Sequence, residues 1–373
     1  MQEPDLPATY LVENNSMQKY IGLISGTSAD SIDAILIEID SDRFNVLAEL
    51  NYPYPEQVKA EILNIAQPAI HNGEQRIDRL GHLDEIIGEL FSQAAIAVCE
   101  KANCSLTDIT AIGSHGQTVR HRPQGKHHFS MQIGDANIIA YKTGVTTVAD
   151  FRRMDLAAGG QGAPLVPLFH QWLLGTSDRN RAILNLGGIA NLTWLPKNQG
   201  QVIGFDTGPA NALTDYWIKQ KQGKEFDENG EWSKQGFVHA ELLKHMMADP
   251  YFLMPAPKST GREYFDAQWL EQKLKGVDPA SDVDIQATLV DLTAKTVCEH
   301  IVRLPDHCDE LLVCGGGAHN QHLMTRLDHY LHPKPEIAVL DGLGINSDFI
   351  EAATFAWLAK QRLDNNRLDY SAV

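Results

Sequence analysis

Apolar and polar positions along the chain fall into two repeating blocks. Residues 20–24 are apolar and β-rich, and the small polar run Ser25 to Ser31 follows. Residues 32–39 then alternate, with Ile35, Ile37 and Ile39 on one face and Ala34, Leu36 and Glu38 on the other. With a third strand over 45–52, this predicts an antiparallel opening to a mixed sheet. Ile77, Leu80, Leu83, Ile87, Leu90, Phe91, Ala94 and Val98 keep helical spacing, which predicts a long amphipathic helix. A buried strand over 110–114, a helix over 136–142 and a strand over 146–151 come next. The run 156–162, Leu-Ala-Ala-Gly-Gly-Gln-Gly, reads as a hinge. Pro164 is suited to the first turn of an apolar helix over 164–174.

The pattern then starts again. Strands are expected over 182–187, 190–195 and 201–205, followed by a helix after Pro209 and another over 289–302. A strand over 310–314 ends in Gly315-Gly316-Gly317, and an amphipathic helix over 350–363 closes the series. Each half therefore opens with a β-hairpin whose bend is made of glycine or small polar residues. This is a duplication of pattern rather than of sequence.

A length of 373 residues allows two or three domains or one bilobal unit. Apolar residues make up 43% and charged residues 21%, which fits an ordinary folded chain. The net charge of −17 argues against a non-specific nucleic-acid binder, because phosphate neutralisation needs clustered Lys and Arg. It leaves room for one anionic ligand in a local pocket. The five cysteines are odd in number and show no C-x-x-C spacing, so neither a disulfide framework nor a structural zinc site is expected. No apolar stretch approaches 18 residues, and no membrane span is expected. Residues 1–18 are polar and acidic, unlike a signal peptide, and read as a disordered extension.

Four glycine-rich turns are expected at strand ends: 25–33, 113–118, 187–191 and 315–320. Glycine lets a backbone approach a phosphate closely and present its N–H groups. Four such turns favour nucleotide binding. The P-loop pattern, the protein-kinase set and the nucleophile-elbow motif are all missing, and no dinucleotide fingerprint is complete. Acidic residues mark the turns: Asp30, Asp33, Asp155 and Asp206. Asp206 is the leading candidate for chemistry, since it follows an apolar strand where side chains reach a ligand cleft. A helix-capping role fits the same position. Asp30 and Asp33 also fit as turn residues, and Asp33 as a strand residue that orders its loop. His115, His121, His127 and His128 lack metal-ligand spacing and read as loop histidines, with His115 set apart by its place inside a turn. Arg120, Arg122, Arg152 and Arg153 could meet a carboxylate or phosphate bidentately.

At these residues the sequence resembles the anhydro-N-acetylmuramic acid kinases. The matching stretches are IGLISGTSADSID (21–33), IGSHGQTVRH (112–121), VADFRRMDLAAGGQGAPLVP (148–167), LNLGGIANLT (184–193), GFDTGPANAL (204–213), PKSTGREYF (257–265) and VCGGGAHN (313–320). Ile24 and Ser31 depart from the family's usual Met and Gly, Met154 stands where an Arg is common, and no proline follows Ile345.

The resemblance implies an α/β, bilobal actin-like ATPase (ribonuclease H-like) fold with two mixed-sheet domains. The N-terminal lobe would comprise 19–158 plus 346–373, and the C-terminal lobe 159–345. It implies an ATP-dependent kinase that hydrolytically opens 1,6-anhydro-N-acetylmuramic acid and phosphorylates O6, giving N-acetylmuramic acid 6-phosphate and ADP. The setting would be cytoplasmic recycling of peptidoglycan. A homodimer and Mg²⁺ with the ATP are expected, with no protein ligand to the metal assigned. A kinase of a free amino sugar, or a non-catalytic ATP or sugar sensor on the same fold, are the alternatives.

Site roles follow from the same resemblance. Gly26, Thr27, Ser28, Ala29, Asp30, Ser31, Ile32 and Asp33 would hold phosphate, with Gly187, Gly188 and Asn191 in the second half. Gly315, Gly316 and Gly317 would lie toward the adenosine. Thr118, Arg152, Asp155 and Gln161 are expected to grip the sugar and its lactyl carboxylate. In an anhydro sugar O6 is bridged to C1 and carries no proton, so a carboxylate base must act on water instead. That water attacks the anomeric carbon, as in an inverting glycosidase. Asp206 matches the family's base.

Overall fold

Strand pairing accounts for most of the architecture. The computed structural model describes residues 17–26, 28–66, 76–123, 125–261, 264–278, 280–340 and 346–368. The extension expected over 1–18 falls outside these through residue 16, and β1 (Gln18–Ser25) already includes Gln18. The hairpin partner β2 (Ser31–Ile39) and then β3 (Phe44–Pro53) follow antiparallel. β4 (Ile109–Arg122) and β6 (Thr147–Val148) add in parallel, and β5 (Phe129–Ile133) flanks β4, so the first sheet runs β3-β2-β1-β4-β5 with β6 also on β4.

The second sheet has β7 (Arg181–Leu186), β8 (Ile189–Leu195), β9 (Ile203–Pro209), β10 (Glu310–Cys314) and β11 (Glu336–Val339) in the order β11-β10-β7-β8-β9. Its first three strands are antiparallel neighbours, and β10 and β11 run parallel to β7. Numbered within each sheet, both share one core: strands three, two and one antiparallel, then a parallel strand beside the first. This is the duplicated ribonuclease H-like sheet of the actin-like fold.

The described chain divides into two compact units. One comprises residues up to 117, 133–149 and 355–364. The other comprises 118–132, 150–354 and the residues from 365 on. In the first, α2 (Arg76–Lys101) lays Leu83, Ile87, Phe91 and Val98 on the sheet, as its spacing predicts. Fully burying such a side chain contributes about 1.5–3 kcal/mol. In the second, α9 (Asp282–Val302) joins two cores. Val290, Ala294 and Val297 pack with Leu184, Leu192 and Phe205 of the sheet. Ile285, Leu289 and Leu292 pack with Leu213 and Trp217 of α6 (Asn211–Gln222) and Leu242 and Met246 of α7 (Ala240–Met247).

Several expectations need correction. The run 113–118 is not a turn: β4 continues through it, with residues 113–117 buried. Gly113 serves packing, since a Cβ there would lie 2.0 Å from the Phe355 carbonyl oxygen in α11 (Ile350–Leu363). The strand expected over 146–151 shrinks to β6. Asp150 takes a left-handed conformation (φ 62°), which ends the extended run and opens the helix α4 (Phe151–Ala157). The first two residues of the expected hinge, 156 and 157, are thus helical. Pro167 rather than Pro164 lies in the first turn of α5 (Val166–Leu174), and both prolines abut Gly204, where a Cβ would meet their Cγ atoms at 2.6 and 3.2 Å.

Candidate active site

Asp206 lies on β9, directly across from Asn191 on β8, one step past a register shift in that ladder. Asn191 Nδ2 donates to Asp206 Oδ1 at 2.9 Å. Thr260 N donates to Asp206 Oδ2, also at 2.9 Å. The backbone is held as firmly as the carboxylate. Asp206 N donates to Lys258 O at 2.9 Å, and the Tyr251 hydroxyl donates to Asp206 O at 2.8 Å. Three separate segments therefore aim one half-buried acid. The capping reading fails on this geometry, because α6 starts at Asn211, its N-cap is Ala210, and no side chain caps it. The amides of Ala210, Asn211 and Ala212 donate instead to the carbonyls of Gly188, Gly187 and Gly188.

This gives the β7–β8 bend a definite character. The Gly187 and Gly188 carbonyls are taken up by the helix start, so an anion at the bend would be met by N–H groups and side chains. Asn211 Nδ2 also donates to Leu186 O at 2.9 Å, tying α6 to the end of β7. The triple glycine after β10 rests on the same strand end. At Gly315 (φ 78°) a Cβ would lie 2.3 Å from Asn185 Oδ1, and at Gly317 2.6 Å from Leu186 Cβ. At Gly316 the nearest atom would be 3.9 Å away. Packing requires the outer two glycines, and the middle one keeps open space beside it.

The β1–β2 bend is built differently. A Cβ on Gly26 would meet nothing within 4 Å. Gly26, Ser28 and Asp30 are exposed, Ala29 and Ile32 are buried, and Thr27 lies outside the described residues. Ala29 takes a left-handed φ of 52° and its N–H closes the turn on Gly26 O at 3.1 Å. Gln117 of β4 braces the entry: it accepts from Ser25 Oγ at 2.6 Å and donates to Gly26 O at 3.1 Å. Asp30 forms an exposed ion pair with Lys59. Asp33 accepts from Ser31 Oγ at 3.2 Å and from Asn51 Nδ2 at 2.7 Å, so it orders the bend from within β2.

Thr118, Arg152 and Asp155 fall into a third group. Thr118 Oγ1 accepts from Gln132 Nε2, which also donates to Ser130 Oγ. His121 Nδ1 lies 3.1 Å from that Ser130 hydroxyl. Burial, then the charges of Arg152 and Arg122, hold His121 down at about 4, so it is neutral near pH 7. Burial also lowers Arg152, against the pull of Glu351 and Asp155. It raises Asp155, against the Gly162 amide and Arg152. Arg152 Nη1 donates to Gly162 O at 2.8 Å, and Gly162 N donates to Asp155 Oδ2 at 2.7 Å, so the two charges grip one glycine loop. Gln161 sits half-buried within that loop. His115 stands apart: it is buried in β4 with its ring 4.6 Å from that of Phe355.

Sequence reasoning gave no role to Gln117, Asn51, Tyr251, Lys258 or Thr260. The stretch PKSTGREYF held a signal for the last two, but no spacing rule links it to β9. Among the described residues no three His, Cys, Asp or Glu side chains come together as a metal site, and no helix is long and apolar enough to cross a membrane.

Comparison with known proteins agrees along nearly the whole chain. The profile of the anhydro-N-acetylmuramic acid kinase family matches residues 18–369. An anhydro-N-acetylmuramic acid kinase of Photobacterium profundum is 49% identical over 352 residues, covering 92% of each chain. That of Shewanella pealeana is 46% identical, covering 91% of this chain and 90% of the relative. That of Coxiella burnetii is 47% identical, covering 93% and 91%.

Proposed function

This chain belongs to the anhydro-N-acetylmuramic acid kinase family, and on that premise we propose that Asp206 is the general base that activates water for ring opening. The protein is a kinase of cell-wall recycling: with ATP it converts 1,6-anhydro-N-acetylmuramic acid and water to N-acetylmuramic acid 6-phosphate and ADP. Asp206 takes a proton from water as the water oxygen bonds to C1. The C1–O6 bond breaks, O6 bonds to the γ-phosphorus, and the bond from that phosphorus to the ADP oxygen breaks. The observation that carries this reading is the aim of the Asp206 carboxylate, fixed by Asn191, Thr260 N and two backbone bonds. General bases need such fixed geometry.

The remaining roles divide by cluster. The open β1–β2 bend, from Gly26 to Asp33, receives phosphate oxygens, with Gly187, Gly188 and Asn191 on the second sheet. Gly315–Gly317 face the adenosine, where Gly316 leaves room. Thr118, Arg152, Asp155 and Gln161 hold the sugar, with Arg152 suited to the lactyl carboxylate. Mg²⁺ accompanies the ATP and neutralises phosphate charge. Magnesium usually keeps waters and takes phosphate oxygens with one or two carboxylates. The described residues offer no three-ligand cluster for it, and no step above depends on one. We place the reaction in the cytoplasm, where ATP is available, and the active form as a homodimer; sedimentation at single-chain mass would overturn the latter.

Oxygen-labelled water tests the mechanism. Label is expected at C1 of the phosphorylated product. Label found solely in phosphate would mean plain ATP hydrolysis and would end the proposal.

A further inference from the structure

Resting on the sugar-holding role given above to Thr118 and Arg152, we propose that Gln132 is a positioning residue for the substrate: its amide sets the proton directions of a relay ending in His121, so that this ring offers its Nε2 proton to an uncharged oxygen of the sugar. The relay lies within one compact unit and joins the neighbouring strands β4 and β5. Gln132 Nε2 donates to Thr118 Oγ1 at 3.1 Å and to Ser130 Oγ at 2.7 Å. His121 Nδ1 lies 3.1 Å from Ser130 Oγ.

Matching donors to acceptors fixes each proton. Both amide protons of Gln132 go to the two hydroxyl oxygens, and its Oε1 is buried without a partner. Turning the amide over would leave a buried NH₂ unpaired instead, and an orphaned N–H is tolerated less well than an under-satisfied carbonyl oxygen. Ser130 is 3% exposed. Among the described residues the acceptor within reach of its hydroxyl proton is His121 Nδ1. Ser130 therefore donates to Nδ1, and the neutral imidazole carries its proton on Nε2. Thr118 accepts from Gln132, so its own hydroxyl proton is directed away from that amide.

The far side of the ring is suited to a ligand. Among the described residues nothing accepts from His121 Nε2, yet that atom is not sealed in the interior. Burial, then the charges of Arg152 and Arg122, keep the ring neutral near pH 7. A guanidinium suits the lactyl carboxylate, whereas a neutral N–H suits an uncharged acceptor such as the acetamido carbonyl oxygen. Folding alone does not account for the relay, because the unpaired Oε1 lowers stability and apolar side chains at 130 and 132 would avoid it.

Nitrogen NMR of the histidines, with KM for sugar and for ATP, tests the relay. In the wild type at neutral pH, His121 is expected with Nδ1 bare and Nε2 protonated. A proton on Nδ1 overturns the proposal, and that measurement needs no variant. In Gln132→Glu a carboxylate accepts where the amide donated. Ser130 then turns its proton to the carboxylate, and His121 is expected to invert to the Nδ1–H tautomer. KM for sugar should rise about tenfold and KM for ATP stay within about twofold of wild type. A merely structural role would lower the melting temperature without inverting the tautomer. In folded Gln132→Glu, an unchanged tautomer or an unchanged sugar KM overturns the proposal. Should that variant not fold, Ser130→Ala replaces it: both tautomers are expected there, and a ring held wholly as Nε2–H overturns the relay. Arg152→Gln isolates the underlying reading. A sugar KM that does not rise in Arg152→Gln ends the sugar-holding assignment, whereas a rise there without one in Gln132→Glu ends the relay alone.

Discussion

Asp33 and Asn51 face each other across β2 and β3, and Asn191 and Asp206 face each other across β8 and β9. In each pair the asparagine Nδ2 donates to the aspartate Oδ1, at 2.7 and 2.9 Å. Both pairs join the second and third strands of their sheets, yet the order of acid and amide is inverted. In the first sheet the acid is on the second strand, beside the bend, and it also accepts from Ser31 Oγ of the same strand. In the second sheet the acid is on the third strand, where Thr260 N reaches it from a remote segment. Shared strand order supplies the same cross-strand link twice. What surrounds each carboxylate differs, and under the proposed function that difference sets one to shape a bend and the other to serve as a base.

The bends differ in a related way. The first closes on itself through Ala29 N and Gly26 O, with open space at Gly26. The second turns its carbonyls to the start of α6. A loop that looks equivalent in sequence is thus open in one sheet and joined to a helix in the other.

Inverting the second pair gives the most severe test of this contrast. The double variant Asn191→Asp with Asp206→Asn copies the order of the first sheet and keeps the hydrogen-bond partners. We expect kcat to fall by about 10²–10⁴, the usual contribution of a general base. Recovery to within about tenfold of wild type would mean that position within the pair is immaterial. Next, Asn191→Ala frees one side of Asp206 and is expected to lower kcat about ten- to hundredfold, with a rise in KM for ATP as well because Asn191 also serves the phosphates. The matching change in the first sheet, Asn51→Ala, should instead raise KM for ATP about three- to tenfold, the net worth of one ordinary hydrogen bond, and leave kcat alone. Steady-state kinetics separate these two outcomes, and a shared effect on kcat would erase the distinction between the sheets. Smallest of all, Gly26→Ala should change unfolding free energy by no more than about 0.5 kcal/mol, because the added methyl meets nothing. A large loss in a urea melt would show that the first bend is packed rather than open.

Periodicity made much of the frame readable. The alternation over 32–39, the helical spacing of 77–98 and the apolar strand over 310–314 correspond to β2, α2 and β10, and α11 spans Ile350–Leu363 as expected. Local pattern failed where tertiary contact overrides it. The glycines of 113–118 look like a turn, but Gly113 is there to admit the α11 backbone, a partner more than 200 residues away in sequence. The left-handed Asp150 that ends β6 has no local signature beyond its residue type. The helix α1 (Glu56–Ala66) buries just Ile62 and Ile65 fully, too weak a stripe to announce itself. At the site, the sequence points to Asp206 at the end of a strand, whereas the structure carries β9 through it to Pro209. Its partners were not legible, since Thr260 and Lys258 meet it through contacts spanning about fifty residues that no motif spacing encodes.

The route of the backbone has a consequence for biosynthesis. The unit that contains β1 also includes residues 355–364, whose helix lies against Gly113. On a ribosome working from the N-terminus, that unit begins first and gains its last element, residues 355–364, after every strand of the other sheet has emerged. A truncated product ending before α11 would leave the nascent first sheet without the helix its central strand was shaped to receive. Premature termination late in the message should therefore harm the portion made earliest.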